Sequence, residues 1–181
     1  MTEAKQDPST DAANKKLEAD YEAAFSKLPT LGPVAWLYGR THDRRFLFLS
    51  DLDWAVVPPI TLDQCRLFMK GKMPFAFITW ASVSEEVHQR LLGGTNKLAP
   101  HEWKSGNNLW LIDVVAPFGG LNELLGDLYQ LKFKDQPNLR YLSPSPGAQK
   151  LEVQYFQPPQ TPVATGDGSA SIAVPPSTKT H

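Results

Sequence analysis

The chain has 181 residues, enough for one domain with a sizeable core and too few for two ordinary domains once its polar ends are set aside. Its 18 basic and 19 acidic residues nearly cancel, so charge favours neither nucleic acid nor an anionic membrane as a partner. A single cysteine excludes an internal disulfide and favours a reducing compartment, and no stretch reaches the roughly 20 apolar residues of a membrane span, so we expect a cytoplasmic protein.

The two ends of the chain differ from its middle. Residues 1–9 are polar and patternless, with charges where the apolar core of a signal peptide would begin, and we expect them to be disordered. Leu17, Tyr21 and Phe25 then recur at helical spacing and predict an amphipathic helix over about residues 10–28. Residues 157–181 are rich in Pro, Thr, Ser and Ala, a composition typical of a disordered tail. The ordered domain is therefore predicted over residues 10–156.

The middle of the chain alternates between helical and strand patterns. Its first part predicts helix or loop at 31–39 and 44–53, a β-hairpin with strands at 67–69 and 75–80, and a helix that Ser82 or Ser84 caps and Gly93-Gly94 ends. Its second part predicts a strand at 109–115, a turn at 117–120, a helix at 121–131, and short strands at 140–142 and 151–156. This order indicates an α/β (α+β) domain in three layers, with a mixed sheet flanked by helices.

Asp113 is the most informative single residue. It lies inside the apolar strand Trp-Leu-Ile-Asp-Val-Val, where an unpaired charge is expensive to bury. Strand alternation predicts that its side chain shares a face with Leu111 and Val115, so a cation, an imidazole N–H or backbone amides should bond it there. A catalytic carboxylate and a carboxylate that only tethers a neighbouring loop both fit this pattern.

The other candidate groups carry weaker signals. Of the four histidines, only His42 lies in an unusual local pattern, Arg-Thr-His-Asp-Arg-Arg at residues 40–45, although an exposed surface histidine is the ordinary interpretation. No spacing of histidines and carboxylates matches a zinc site, so we expect no metal. Gly119-Gly120 before a helix favours a helix start over a phosphate site, and Cys65 is interpreted as a strand residue rather than a nucleophile.

Several blocks in succession resemble one family, the bacterial RTX toxin-activating lysine acyltransferases. The resemblance covers about residues 31–131, and its most recognisable stretch is Leu-Trp-Leu-Ile-Asp-Val-Val-Ala-Pro-Phe-Gly at 109–119. The other similar blocks are Gly-Pro-Val-Ala-Trp-Leu-Tyr at 32–38, Leu-Asp-Trp at 52–54 with Val-Pro-Pro-Ile at 57–60, Pro-Phe-Ala-Phe at 74–77 with Thr-Trp-Ala at 79–81, and Trp-Lys-Ser-Gly at 103–106.

The resemblance implies a fold and an activity. It implies a fold related to the GNAT acetyltransferases, a homodimer, and transfer of a fatty acyl group from acyl carrier protein to internal lysines of an RTX protoxin, which activates the toxin. The donor is a phosphopantetheine thioester, and no permanently bound cofactor is expected. The alternative is a catalytically impaired homologue that binds the toxin or the carrier protein without transfer.

The resemblance also implies site residues. Asp113 matches the family's aspartate, whereas an ungapped match puts Thr41 on the serine and Arg44 on the histidine of the family's Ser-Pro-x-His-Arg sequence. His42 falls two residues earlier and is our candidate base, with Thr41 and Arg44 as candidate contacts of the acyl donor. The roles follow from chemistry, since a lysine amine with a pKa near 10.4 must lose a proton before it attacks. An imidazole oriented by a carboxylate can take that proton.

Overall fold

A computed structural model describes residues 8–144 and 151–158 of the chain. The α-helices in this part are α1 (Pro8–Phe25), α2 (Leu31–Tyr38), α3 (Leu52–Ala55), α4 (Val57–Thr61), α5 (Glu85–Leu92) and α6 (Leu121–Leu128). The strands are β1 (Cys65–Lys70), β2 (Met73–Val83), β3 (Asn108–Val115), β4 (Leu139–Pro144) and β5 (Leu151–Phe156). We expected disorder at residues 1–9 and 157–181. Of these, the structure describes only residues 8 and 9, which begin α1, and residues 157 and 158.

The strands form one mixed sheet in the order β1-β2-β3-β4-β5. β1, β2 and β3 are successively antiparallel, which confirms the predicted hairpin, and β4 and β5 form a second antiparallel pair. β3 and β4 are parallel and are paired only at Leu111 and Tyr141. The connection between them carries α6, as a parallel crossover requires.

Helices cover both faces of the sheet, so the predicted three-layer architecture is confirmed. On one face, α6 and the following π turn (Tyr129–Phe133) pack on a core that includes Ile78, Trp80 and Leu111. On the other face, α2 and α4 pack on Phe77 and Val115. The remainder of that second face is covered by α5 and by the loop that carries the fully buried Trp103.

A β-bulge in β3 corrects the predicted side of Asp113. Thr79 of β2 pairs with Asp113 and Trp80 pairs with Leu111, so Ile112 has no partner of its own across the strands. The extra residue reverses the alternation. Leu111 therefore packs under α6, whereas Asp113 lies on the α2 face with Val115. The expectation that Leu111 and Asp113 share a face was wrong because simple alternation holds only for a strand without a bulge.

Local sequence signals predicted most helix ends close to their positions in the structure. The Ser84 hydroxyl accepts a hydrogen bond from the Val87 N–H at the start of α5, which selects Ser84 over Ser82 as the cap. Gly119 and Gly120 take φ of 80° and 76° just before α6, a conformation that favours glycine, and this confirms the helix-start interpretation. In the described residues no helix has the length and apolar character needed to cross a membrane.

Candidate active site

Asp113 lies at the centre of a hydrogen-bond network under α2. Only 8% of the residue is exposed, and both carboxylate oxygens have a partner. Oδ2 accepts a hydrogen bond from the Tyr38 hydroxyl at 2.5 Å, and Oδ1 accepts one from Arg44 Nε at 3.0 Å. The Asp113 N–H, next to the bulge, donates to the Thr79 hydroxyl at 3.0 Å. The cost of burying the charge is thus offset by a cation and a hydroxyl.

The two partners of Asp113 respond to it electrostatically. Burial raises the pKa of Tyr38 well above its usual value, and the negative charge of Asp113 raises it further, so the phenol stays protonated. Burial lowers the pKa of Arg44, but the charge of Asp113 and its hydrogen bond more than reverse this, so the net pKa shift is upward. Arg44 remains a fixed cation and therefore cannot accept the proton of an attacking amine.

His42 and Thr41 lie in the turn that follows α2. The His42 side chain is exposed, and its ring packs edge-on against Phe46 with 6.4 Å between ring centroids. The Thr41 hydroxyl donates to the Leu37 carbonyl at 3.1 Å, and Thr41 lines the cleft beside Asp113. The turn thus brings Thr41 and Arg44 to the cleft. It leaves His42 outside the cleft and out of contact with the Asp113 carboxylate.

The cleft has two lobes, and Arg44, Asn96, Ile112 and Asp113 line both. The larger lobe has a volume of about 430 Å³ and extends along β3 and β4. The smaller lobe has a volume of about 190 Å³ and lies between the turn after α2, α3 and the loop before Trp103. The Arg44–Asp113 ion pair therefore borders both lobes.

The larger lobe occupies a gap in the sheet. β3 and β4 are paired at Leu111 and Tyr141 only. Beyond that pair, residues 112–115 of β3 and 142–144 of β4 both line the lobe. Backbone N–H and C=O groups that no neighbouring strand pairs are strong hydrogen-bonding groups for an extended ligand.

The remaining candidates of the sequence lie elsewhere. His88 Nδ1 accepts a hydrogen bond from Trp110 Nε1 at 2.9 Å, which gives this histidine a structural partner, and His101 is exposed. Cys65 begins β1, where burial raises the pKa of its thiol to about 11, so it stays protonated and weakly nucleophilic at neutral pH. Within residues 8–144 and 151–158 no group of three or more His, Cys, Asp or Glu side chains is arranged to hold a metal ion.

Tyr38 is the site residue that sequence reasoning missed. Its hydroxyl partner is 75 residues away in the chain, so no local pattern connects the two residues. The available signal was its place on the same face of α2 as Val34, four residues earlier, which indicates burial. A buried tyrosine hydroxyl usually has a hydrogen-bond partner, and Asp113 was the one carboxylate already expected to need a donor.

Comparison with known proteins gives one consistent result. The model of the RTX toxin acyltransferase family matches residues 23–157. RTX-III toxin-activating lysine-acyltransferase ApxIIC of Actinobacillus pleuropneumoniae is 31% identical over 130 residues, which cover 71% of this chain and 73% of that protein.

Two further relatives match over shorter segments. Leukotoxin-activating lysine-acyltransferase LtxC of Aggregatibacter actinomycetemcomitans is 39% identical over 89 residues, 49% of this chain and 53% of that protein. Protein-lysine myristoyltransferase HlyC of Escherichia coli is 33% identical over 109 residues, 60% of this chain and 62% of that protein. In these two cases the matched segment spans less than two thirds of the relative's length.

Proposed function

The chain belongs to the RTX toxin acyltransferase family, and from this premise we propose that it is a protein-lysine acyltransferase. The reaction proposed is transfer of a fatty acyl group from acyl carrier protein to internal lysines of an RTX protoxin, in the cytoplasm. The names of the relatives, toxin-activating and leukotoxin-activating lysine-acyltransferases, support the lysine acceptor and the toxin substrate. Acyl carrier protein is proposed as the donor because the sequence blocks resemble a family that uses this donor.

One observation carries the proposal, namely the position of Asp113. It is the carboxylate that the described part of the chain buries, and it borders both lobes of the cleft. A buried carboxylate with a cation and a hydroxyl as partners at the wall of a cleft is a candidate reaction centre.

The larger lobe supplies a place for the donor. A phosphopantetheine arm is extended and contains amide groups, and the gap between β3 and β4 offers backbone groups along one side of the lobe. Such an arm would bond to the strand edge as an added strand does. Its thioester would then reach the Arg44–Asp113 pair at the junction of the lobes.

The chemistry requires a proton acceptor and a charge stabiliser. The lysine nitrogen loses a proton to a base and forms a bond to the thioester carbon, the C–S bond breaks, and the leaving thiolate takes a proton. Arg44 bonds Asp113 through Nε, and its two terminal nitrogens donate to no other described residue. These N–H groups are suited to the oxyanion of the tetrahedral intermediate. Thr41, beside them on the wall of the larger lobe, is assigned to the donor.

The two candidate functions differ in whether the chain has a residue that acts as the base. We retain His42 as the candidate, in a state where the turn after α2 rearranges and the imidazole takes the Asp113 oxygen that Arg44 Nε holds here, while the Arg44 guanidinium stays beside it and faces the oxyanion. A specific observation favours the second candidate function, a homologue that binds without transfer. Arg44, which cannot act as a base, holds the position beside Asp113 where the reaction needs an imidazole.

The test is acyl transfer from labelled acyl carrier protein to a protoxin fragment. If His42 is the base, His42→Ala should lower the rate by about 10²–10⁴ and leave carrier-protein binding nearly unchanged. Asp113→Asn should lower the rate as well, and Arg44→Ala should both weaken donor binding and lower the rate, because it removes the N–H groups assigned to the oxyanion. His101→Ala, at an exposed histidine outside the cleft, is the matched control and should change nothing.

Arg44→His separates the two candidate functions. In a protein that lacks its base, this variant places an imidazole next to Asp113 and should create transfer activity that the wild type lacks. In a protein that uses His42, it should not raise the rate. Transfer by the wild type that His42→Ala leaves intact would remove His42 from the mechanism, and a wild type that binds the carrier protein without ever transferring label would support the binding module.

A further inference from the structure

The smaller lobe has walls unlike those of the larger one. The apolar side chains around it come from the turn after α2, from α3, from the loop before Trp103 and from β3: Leu47, Trp54, Ala55, Leu98, Trp103 and Ile112. Trp103 and Leu98 are almost completely buried, and the Trp103 Nε1 donates to the Trp54 carbonyl at 3.2 Å. These contacts fix the two tryptophans in place, so the lobe is preformed.

The position of this lobe relates it to the reaction centre. Arg44, Asn96, Ile112 and Asp113 border it on one side and border the larger lobe on the other. A ligand that lies in the larger lobe with a carbonyl at Arg44 therefore continues past the ion pair into the smaller lobe. In a thioester, the group beyond the carbonyl is the acyl chain.

The charged groups around the lobe leave no carboxylate oxygen without a partner for an ammonium group. Lys97 lies 5.4 Å above the Trp54 ring, and Arg44 supplies a second cation. The carboxylate oxygens of Asp51 are both engaged, one by the Phe48 N–H and one by Trp54 Nε1. Asp113 lines the lobe as well, so two carboxylates balance the two cations, and the oxygens of Asp113 are engaged by Tyr38 and Arg44. A lysine ammonium would find no carboxylate oxygen without a partner there, whereas an uncharged hydrocarbon meets aromatic and aliphatic walls.

We propose that the smaller lobe binds the first six or so carbons of the donor's acyl chain and leaves the remainder of a longer fatty chain outside it. The site rests on the proposed function, because it assumes a thioester at the Arg44–Asp113 pair. The number of carbons follows from the volume of the lobe. An apolar cavity of about 150 Å³ holds a benzene molecule of six carbons, and the lobe has about 190 Å³. Carbons beyond that length gain no contact inside the lobe.

The experiment measures binding of S-acyl-pantetheine thioesters with two to fourteen carbons, without any acceptor lysine, by calorimetry. In the wild type, each methylene up to about the sixth carbon should lower Kd by up to about fourfold, and longer chains should add little. A 6-bromohexanoyl thioester should quench tryptophan fluorescence, because Trp54 and Trp103 line the lobe.

Two substitutions change the lobe in opposite directions. Ala55→Leu fills it and should raise the Kd of the hexanoyl thioester to that of the acetyl thioester, with the acetyl value unchanged. Leu47→Ala enlarges it and should extend the gain in affinity to longer chains. Ala35→Leu, the same change at an exposed position of α2, is the control and should leave the series unaltered.

The outcomes are distinguishable. If Ala55→Leu keeps the circular dichroism and melting temperature of the wild type and also keeps its chain-length dependence, the proposal is wrong. If Ala55→Leu instead blocks the use of Nα-acetyl-lysine amide, which has a free ε-amine, as an acceptor with an acetyl donor, the lobe holds the acceptor lysine. A wild type that shows the chain-length series but never acylates a lysine contradicts the proposed function and leaves this site standing.

Discussion

At the scale of single residues, the site depends on how one buried carboxylate is satisfied. Asp113 accepts one hydrogen bond from a cation and one from a phenol, and removing either donor leaves part of its charge unpaired. Removing one partner of a buried ion pair is more destabilising than replacing both partners by apolar residues, because the remaining charge is buried without compensation. The Arg44–Asp113–Tyr38 group is therefore expected to behave as one unit in stability as well as in catalysis.

Tyr38→Phe tests the phenol in that unit. The change keeps the ring that packs in the core and removes only the hydroxyl, so Asp113 loses one of its two side-chain donors. We expect the free energy of unfolding to fall by about 1.5–3 kcal/mol, the range for a hydrogen bond to a charged group. Denaturant unfolding gives the value. Tyr155→Phe, at a half-exposed tyrosine of β5, is the control, and an equal loss in both variants would contradict the assigned role of Tyr38.

At the scale of elements, the sheet edge and the loop after Trp103 hold the smaller lobe together. The N–H groups of Ser105 and Gly106 both donate to the Ser82 carbonyl, at 2.9 and 3.0 Å, and the Ser82 N–H donates to the Trp103 carbonyl. The loop therefore lies directly on the end of β2. This close approach explains the glycine, since a Cβ on Gly106 would come within 2.5 Å of the Val83 carbonyl oxygen.

Gly106→Ala is expected to push the loop away from β2. The added methyl group has backbone on the other side, which cannot yield, so the variant should lose about 1–3 kcal/mol of stability. Gly32→Ala makes the same change in α2, where a Cβ meets no atom within 4 Å, and should gain about 0.4–1 kcal/mol. Thermal unfolding of both variants measures whether stability falls or rises. A Gly106→Ala protein as stable as the wild type would show that the loop can shift freely.

At the scale of the whole molecule, α1 has an apolar stripe that residues 8–144 and 151–158 leave more than half uncovered. Leu17, Tyr21 and Phe25 are spaced four residues apart on one side of the helix, and each is more than half exposed. The same helix has Lys15 and Lys16 before Asp20 and Glu22. Two antiparallel copies would place the basic part of one helix beside the acidic part of the other, as a two-fold interface requires. We propose that the chain forms a homodimer and that this stripe is its interface.

Light scattering tests the dimer. The wild type should have twice the mass of one chain, and Leu17→Asp should lower it to the mass of one chain because a buried charge at the interface is costly. Leu131→Asp alters a leucine that is 65% exposed after α6 and should keep the dimer. A wild type that stays monomeric at working concentration, or a Leu17→Asp protein that stays dimeric, would exclude this interface.

The sequence by itself determined the elements and the family. Hydrophobic periodicity, the Ser84 cap and the glycines before α6 are local signals, and they give the hairpin, the helices and the mixed three-layer sheet without reference to distant contacts. The blocks of the sequence identified the family that the comparisons then gave. Asp113 was recognisable because a carboxylate in an apolar strand is costly wherever the strand lies.

Only the tertiary structure decided which side chains meet at that carboxylate. The bulge at Ile112 depends on how β2 pairs with β3, so it put Asp113 on the opposite face from Leu111 and under α2. Tyr38 and Arg44 bond to Asp113, which lies 75 and 69 residues away from them in the chain. His42 is only two positions from Arg44, but it lies outside the cleft because the turn after α2 directs neighbouring side chains to different sides. Spacing along a chain fixes which residues share an element, whereas contact between elements depends on how they pack.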